Sequence, residues 1–227
     1  MKNFVFDLYG TLVDIHTDEN KKKFRKSVAK YFGREDFWEE YLRLCAEADT
    51  GEEYCEIDLF SVFKTLLNGA DEAVSEAAKY FREKSRSRLK VYRGVHELLR
   101  SLKEGGARLY ILSNAQACFT LGELEKLKLT KYFDGIIISS EFGKKKPAKD
   151  FFLHAVEKYG LNVEETVYVG NDFKADILGA LASGLSAAYI KSNLSPQTDD
   201  LAEISKVADF ATDSHKKLAK YLVDLLG

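Results

Sequence analysis

The sequence predicts an α/β fold, in which a doubly wound parallel sheet forms the core and a small helical cap domain is inserted after the first strand. Three observations lead to this prediction. Short apolar segments of strand length are spread along the chain, helical repeats separate the later ones, and only helical patterns occur between about residues 15 and 90. Strands that alternate with helices are typical of a parallel sheet covered on both faces.

The predicted strands are continuously apolar, as expected for strands that are buried on both faces. They comprise residues 4–6, 109–112, 136–138, 167–169 and 187–190. Apolar residues at helical spacing predict core helices over residues 95–102, 152–159 and 218–225.

The same helical spacing marks three apolar faces inside the stretch that lacks strands. They lie at residues 24–32, 59–67 and 74–81. We therefore predict an α/β core of residues 1–14 and 91–227 and a helical cap domain of residues 15–90. Hinges are expected near residues 13–14 and 90–91, because a cap must open to admit a ligand.

Composition excludes several classes of protein. The chain has 227 residues, 45% of them hydrophobic and 12% aromatic, which is enough to form a core. Its formal net charge of −2 gives no overall attraction to nucleic acid or to acidic membranes. Asp7 interrupts the apolar stretch that a signal peptide would need, and three cysteines without a CxxC pair favour a reducing compartment. We expect a cytoplasmic protein without nucleic-acid or membrane partners, either a monomer or a homodimer.

The first candidate site residue is Asp7, which follows the apolar segment 4–6 and precedes a Gly10-Thr11 turn. Ligands of open parallel sheets bind beyond the carboxyl ends of the strands, so Asp7 is expected to face such a site. An aspartate that caps a helix or stabilises a turn is the structural alternative.

Two further segments supply a hydroxyl and a cation. Ser113 and Asn114 follow the predicted strand 109–112, where the hydroxyl is placed to bind an anion, although either residue also suits a helix N-cap. Lys146 precedes Pro147 at a predicted helix start, which would hold its ammonium at a fixed point. The lysines just before it are typical of a solvated surface.

A fourth segment clusters oxygen ligands after the strand 167–169, namely Asn171, Asp172 and Asp176. Mg²⁺ binds one or two carboxylates and completes its shell with water and substrate oxygens, so this segment is a candidate Mg²⁺ site. A capped helix start is the alternative. Together the four segments provide a nucleophilic carboxylate, a hydroxyl, a cation and a metal pocket, which is a set suited to attack on a phosphoryl group.

The chain resembles the haloacid dehalogenase superfamily of aspartyl-nucleophile hydrolases, in the subgroup with a helical cap after the first strand. Four segments resemble the family motifs in order: Asp7 to Thr11, Ser113-Asn114, Lys146-Pro147 and Gly170 to Asp176. The resemblance covers nearly the whole chain. It implies a Mg²⁺-dependent phosphatase that acts on small soluble phosphomonoesters.

The resemblance also implies a role for each candidate residue. Asp7 would be the nucleophile, and Lys146 would screen the reacting charge and keep Asp7 ionised. Oxygens of the transferring group would be held by Thr11, Ser113 and Asn114. Mg²⁺ would lie between Asp7, the backbone carbonyl of Tyr9 and the fourth motif, with Asn171, Asp172 and Asp176 as its candidate ligands.

Two positions depart from the phosphatases of this family. Tyr9 stands where they usually carry a second aspartate, which protonates the leaving oxygen. Asn171 stands where they usually have an aspartate directly after the glycine. A tyrosine, with an ordinary pKa of about 10, is a poor general base near neutral pH, so we expect slow phosphatase turnover or a water in its place.

These departures keep two alternatives open. The branch of the family that removes halides also carries tyrosine at this position, so a 2-haloacid dehalogenase is one alternative. Against it, Phe152 stands where that branch has a tyrosine, and its halide-binding cap arginine has only Arg43 as a candidate by region. The other alternative is a catalytically weak module that binds a phosphorylated ligand.

Overall fold

The computed structural model describes residues 2–227. Its strands are β1 (Asn3–Phe6), β2 (Val13–Thr17), β3 (Arg86–Val91), β4 (Arg108–Ser113), β5 (Gly135–Ile138), β6 (Thr166–Gly170), β7 (Ser186–Ile190) and β8 (Phe210–Thr212). Six of them form one sheet in the order β5-β4-β1-β6-β7-β8, and every neighbouring pair is parallel. The predicted parallel sheet is confirmed. Of the six strands in this sheet, β8 alone was not predicted from the sequence, because its three residues are too few to show a pattern.

The helices are α1 (Lys22–Phe32), α2 (Phe37–Ala48), α3 (Leu59–Leu67), α4 (Asp71–Ser85), α5 (Val95–Glu104), α6 (Ala117–Lys126), α7 (Ser139–Phe142), α8 (Lys149–Tyr159), α9 (Gly179–Ala182), α10 (Leu201–Ile204) and α11 (His215–Asp224). A π-helical segment, Phe173–Leu178, leads into α9. Within residues 2–227, no helix combines the length and the apolarity that crossing a membrane requires.

Helices cover both faces of the sheet, because successive side chains of a strand point to opposite faces. Phe4 and Phe6 of β1 pack with α5 and α11, whereas Val5 between them packs with α8 on the other face. Phe6 has no exposed surface, so its replacement by alanine would cost about 3–5 kcal/mol of folding free energy. This packing confirms the doubly wound core.

We call residues 18–85, which carry α1–α4 between β2 and β3, the helical insert. Its helices share a hydrophobic cluster around Phe37, Phe63 and Phe81, apart from the two clusters that flank the sheet. The core contributes Phe119 of α6 to this cluster. The insert therefore has a hydrophobic centre of its own and a defined contact with α6.

The expectation that residues 15–90 hold no strand is wrong. β2 and β3 pair antiparallel as a two-stranded sheet at the base of the insert, with Val13 opposite Val91 and Asp14 opposite Lys90. Their sequences are VDIHT and RSRLKV, so neither shows the apolar run of a buried strand. Each strand pairs with a strand that lies far away in the sequence, and a local sequence pattern does not reveal such a pairing. The predicted hinges fall in this sheet, and the boundaries of the cap domain stay a prediction.

Candidate active site

The carboxyl ends of β1, β4 and β6 are neighbours, since β1 pairs with both other strands. Asp7 is the first residue beyond β1, and its backbone N–H donates to the Val169 carbonyl at 2.9 Å. Ser113 ends β4, and Asn171 follows β6. The strand order therefore brings three of the predicted segments to one edge of the sheet, as expected for parallel strands.

Each carboxylate oxygen of Asp7 has its own donors. Oδ1 accepts from the Lys146 ammonium at 2.8 Å and from the Ser113 hydroxyl at 3.3 Å. Oδ2 accepts from the Thr11 hydroxyl at 3.3 Å. All four side chains are buried. The structure thus assembles Asp7, Thr11, Ser113 and Lys146 around one carboxylate.

Lys146 lies in the loop before α8 and donates three hydrogen bonds. Besides Asp7, its Nζ contacts Oδ1 of Asp176 at 2.7 Å and the Tyr168 hydroxyl at 2.7 Å. An ammonium group has three protons, so these partners account for all of them. Tyr168 also donates to the Leu112 carbonyl at 3.0 Å. The lysine is therefore held rigidly between two carboxylates.

The shared lysine shapes the charges of the site. Burial and the nearby charge of Asp176 outweigh the lowering effect of Lys146 and raise the pKa of Asp7 to about 6. Burial lowers the pKa of Lys146, but Asp176 and Asp7 together raise it above its ordinary value. The lysine is thus charged throughout the neutral range. Its effect on Asp7 is smaller than the sequence suggested, because it serves two carboxylates.

Asn114 acts on Lys146 through the backbone. Its side-chain oxygen accepts from the Lys146 N–H at 2.7 Å, and its side-chain nitrogen donates to the Lys146 carbonyl at 3.0 Å. Both polar atoms of the amide are used in this way. The side chain of Asn114 positions the lysine, and a contact of this residue with phosphate stays a prediction.

Asn171 faces the second oxygen of Asp7. One end of its amide lies 3.0 Å from the Tyr9 carbonyl oxygen, 3.2 Å from the Thr11 hydroxyl and 3.3 Å from Asp7 Oδ2. As an oxygen this end accepts from Thr11, and as a nitrogen it can donate to these acceptors. This packing requires glycine at position 10, because a Cβ there would lie only 2.4 Å from the Asn171 amide. The backbone of Gly10 also has a φ of 94°, which favours glycine.

Asp7, Tyr9 and Asn171 provide oxygen ligands that suit Mg²⁺. Asp7 offers Oδ2, Tyr9 its carbonyl oxygen, and Asn171 its side-chain oxygen, which also accepts from Thr11. Only one of these ligands is a carboxylate, which is at the low end for a Mg²⁺ site. The donor types fit the cation, and the single negative charge predicts weak binding.

Asp172 and Asp176 are engaged elsewhere. Asp172 Oδ1 caps the π-helical segment by accepting from the Ala175 N–H at 2.7 Å. Asp176 uses Oδ1 for Lys146, and its Oδ2 accepts from the N–H groups of Asn171 at 2.9 Å and Asp172 at 3.0 Å. It packs on Gly170, where a Cβ would lie 2.3 Å away. Asp176 therefore orders the lysine and the loop after β6, and a role of either aspartate as metal ligand stays a prediction.

The side chain of Tyr9 points to α6. Its hydroxyl forms a very short hydrogen bond with Glu123 and lies 3.1 Å from the Thr120 hydroxyl. Glu123 is buried and also accepts from Arg82 of α4 at 2.8 Å and from Arg86 of β3 at 2.5 Å. A buried acid with two arginines thus connects the nucleophile loop to the end of the insert.

A second polar contact joins the insert to the core. Glu56, in the loop before α3, accepts from the Gln116 amide at 3.1 Å and from the Ser139 hydroxyl at 2.8 Å. The Lys145 N–H donates to the Tyr54 carbonyl at 2.9 Å, directly beside Lys146. With the insert in this position, Asp7 is only 6% exposed. Asp7 is thus nearly inaccessible in this arrangement.

Sequence reasoning missed Glu123, Arg82, Tyr168 and Glu56. Tyr168 lies in a continuous apolar strand, where nothing in the sequence indicates that its hydroxyl makes hydrogen bonds. Glu123 gave a weak signal, because it shares one face of α6 with Phe119 and Thr120, which are also buried. An acid on a buried helix face requires a partner, but the sequence does not identify the partner.

Comparison with known proteins places these observations in context. A profile of the family described as haloacid dehalogenase-like hydrolase matches residues 4–190. A ribulose-1,5-bisphosphate 5-phosphatase of Halopiger xanaduensis is 36% identical over 121 residues, which cover 52% of this chain and 51% of that protein. A glyceraldehyde 3-phosphate phosphatase of Methanopyrus kandleri is 30% identical over 172 residues, or 72% of each chain. The chain thus spans about half the length of the first relative and nearly three quarters of the second.

A solved structure shows the same architecture over the full length. The 2-haloacid dehalogenase of Pseudomonas syringae superposes with a TM-score of 0.70 over 99% of each chain, at 19% sequence identity. At this identity the likeness shows the fold alone. The fold is therefore shared with phosphatases and dehalogenases, and the residues at the carboxyl edge of the sheet must distinguish the two reactions.

Proposed function

This chain belongs to the haloacid dehalogenase-like hydrolases, and we propose that it is a phosphatase that uses Asp7 to take the phosphoryl group from a small phosphomonoester. One observation carries the proposal. The Asp7 carboxylate lies at the carboxyl edge of the sheet, 2.8 Å from a lysine ammonium, and is also bonded by two hydroxyl groups. Such donors can pass from the nucleophile to the oxygens of an incoming phosphoryl group.

The reaction would proceed in two displacements. A carboxylate oxygen of Asp7 forms a bond to phosphorus as the bond to the leaving oxygen breaks, and the leaving group departs with the electron pair. Water then bonds to phosphorus, the bond to Asp7 breaks, and the carboxylate is restored while a proton passes to solvent. Lys146, Ser113 and Thr11 would hold the equatorial oxygens in both steps.

We propose that Mg²⁺ completes the site, held by Asp7 Oδ2, the Tyr9 carbonyl oxygen and the Asn171 side-chain oxygen. When bound, the cation supplies positive charge that neutralises the phosphoryl oxygens. Asp172 Oδ1 and both oxygens of Asp176 bind backbone N–H groups or Lys146, so these two aspartates would support the cation from outside the ligand shell.

Substrates are expected to be small molecules. Asp7 and Lys146 are both nearly inaccessible, and a loop of the insert contacts the core directly beside Lys146. The two relatives carry the names of phosphatases that act on small phosphorylated sugars. The side chains of the insert would then select the substrate as it closes.

The proposal is tested by phosphate release from a panel of small phosphate compounds, in Mg²⁺ and in EDTA. We expect activity that requires Mg²⁺ and is lost in Asp7→Asn, together with a beryllium fluoride adduct at Asp7 in the intact protein. Thermal stabilisation by phosphate compounds without any turnover would instead favour a binding module. Equal activity in EDTA would contradict the metal-dependent mechanism.

A second candidate is a 2-haloacid dehalogenase, and the engagement of Tyr9 and Asn171 favours it. A halide leaves without being protonated, so this reaction does not need the acid that Tyr9 replaces. It also does not need a second carboxylate ligand for a metal at the position of Asn171. Arg43, the cap arginine suggested by the sequence, is 52% exposed and pairs with Glu40 and Glu47 on the surface. Chloride release from 2-chloropropionate in EDTA, lost in Asp7→Asn, would support this candidate over the phosphatase.

A further inference from the structure

We propose that the phosphatase acts on phosphate compounds whose leaving group departs as a stable anion, above all acyl phosphates, and discriminates against alkyl phosphates. The inference rests on the proposed function and adds the substrate class. Its basis is the set of contacts that Tyr9, Glu123, Lys146 and Asp176 make around the nucleophile and its loop. Each of these side chains is engaged in a way that leaves no proton for a leaving oxygen.

Tyr9 is the side chain closest in sequence to the nucleophile that carries an acidic proton. Its hydroxyl is bound to Glu123 and lies 3.1 Å from Thr120, so its proton is directed at α6. Loss of that proton would place a second negative charge beside Glu123. Burial and the charge of Glu123 accordingly raise the pKa of Tyr9.

Glu123 cannot take over as the acid. Its carboxylate is 4% exposed and is bound by Arg82 and Arg86, each through a charged hydrogen bond. Both guanidinium groups donate to its oxygens. Glu123 therefore accepts hydrogen bonds from Tyr9 and from both arginines.

The groups on the other side of Asp7 are also occupied. The three protons of Lys146 bind Asp7, Asp176 and Tyr168. Oδ2 of Asp176 accepts from two backbone N–H groups, and Tyr168 donates to the Leu112 carbonyl. None of these contacts directs a proton at a leaving group.

The consequence follows from the balance of the first displacement. When Asp7 bonds to phosphorus, the breaking P–O bond leaves its electron pair on the leaving oxygen, which must depart as an anion and take a proton from water later. A carboxylate is stable in this form, since its acid has a pKa of about 4. An alkoxide is the conjugate base of an alcohol, which is about as weak an acid as water, so an alkoxide departs far less readily. Alkyl phosphates therefore lose the factor of about 10²–10⁴ that a general acid supplies.

The experiment compares kcat/KM for acetyl phosphate, a series of aryl phosphates and glycerol phosphate, with the intact chain in Mg²⁺. We expect acetyl phosphate to exceed glycerol phosphate by about 100-fold or more, and the aryl series to fall steadily as the phenol becomes less acidic. A ratio below about 100-fold overturns the proposal. Absence of phosphate release from every compound, with no beryllium fluoride adduct, overturns the proposed function instead.

Two variants locate the effect at position 9. Tyr9→Phe keeps the ring and removes the hydroxyl, and we expect the ratio between acetyl and glycerol phosphate to stay within about threefold. Tyr9→Asp supplies a carboxyl group, and we expect it to raise activity on glycerol phosphate by about 100-fold relative to acetyl phosphate. A selective loss of glycerol phosphate turnover in Tyr9→Phe would identify the tyrosine as the acid and overturn the proposal. Should Tyr9→Asp fail to fold, the wild-type series and Tyr9→Phe decide alone.

Discussion

Two carboxylates join the helical insert to the core, and their surroundings are opposite. At the first contact, Glu123 of the core is buried against Arg82 and Arg86, which hold its pKa below the ordinary value. At the second contact, Glu56 of the insert is bound by the neutral side chains of Gln116 and Ser139, and burial raises its pKa. A glutamate carboxylate is thus held by two ion pairs at the first contact and by hydrogen bonds from neutral groups at the second.

The difference indicates how the insert opens. Separating Glu123 from its arginines would leave buried charges without partners, which is strongly unfavourable. Separating Glu56 from Gln116 and Ser139 exchanges neutral hydrogen bonds for bonds to water, at a net cost of about 1 kcal/mol each. We therefore expect the insert to open at the Glu56 contact while the Glu123 contact remains closed as the pivot.

The largest effect is expected from Glu123→Gln. The variant leaves two arginines beside a neutral partner in a buried place, and we expect a loss of about 3–5 kcal/mol in the free energy of unfolding. Urea denaturation measures it. Glu125→Gln, on the exposed side of the same helix, is the matched control and should change stability by less than about 0.5 kcal/mol. Equal effects of the two variants would show that the arginines are solvated and would remove the proposed pivot.

A smaller effect is expected from Gln116→Ala at the other contact. Gln116 donates to Glu56 and to the Ile57 carbonyl and accepts from the Leu59 N–H, so its loss frees the loop before α3. We expect about 1–3 kcal/mol of destabilisation and faster hydrogen exchange in that loop than in α4. Faster exchange at α4 as well would mean that the two contacts open together.

The comparison also explains what the sequence reveals and what it conceals. Asp7 and Ser113 each follow an apolar strand, and Lys146 stands next to a proline, so local patterns identify them and the parallel topology brings them together. Glu123 and Glu56 are ordinary surface residues by composition. Their partners come from other elements, and only the packed structure shows that they are buried.

Secondary structure divides in the same way. The core strands are apolar because both faces are buried, and their pattern is visible in a window of a few residues. β2 and β3 are polar and obtain their stability from pairing with each other across the whole insert. Asn171 is a similar case at the site, because its residue type suggests a ligand, whereas only the structure shows that its amide faces the Tyr9 carbonyl and the Thr11 hydroxyl.

Tyr9→Phe tests how much the tyrosine hydroxyl contributes to the stability of the Glu123 contact compared with the two arginines. Arg82 and Arg86 still neutralise Glu123 in this variant, so only the hydrogen bonds of one hydroxyl, to Glu123 and to Thr120, are lost. We expect a loss of about 0.5–1.5 kcal/mol in the free energy of unfolding, measured in urea beside Glu123→Gln. A loss as large as that of Glu123→Gln would place the tyrosine, rather than the arginines, at the centre of the contact.

The smallest effect, and the most direct comparison of the two carboxylates, is their dependence on pH. Because the folded-state pKa of Glu56 lies above the ordinary value of 4.5, the folded chain retains a proton that the unfolded chain has lost. Its contribution to stability is complete below pH 4.5 and is lost as the pH rises through the folded value. For Glu123 the folded-state pKa lies below 4.5, so its contribution to stability is present above pH 4.5 and is lost as the pH falls through the folded value.

Unfolding free energies from about pH 4 to 7 test both signs. The excess in unfolding free energy of wild type over Glu56→Gln should shrink as the pH rises, with Glu52→Gln as an exposed control. The excess in unfolding free energy of wild type over Glu123→Gln should instead shrink as the pH falls. Slopes of the same sign for the two variants would mean that both acids lie in the same kind of environment.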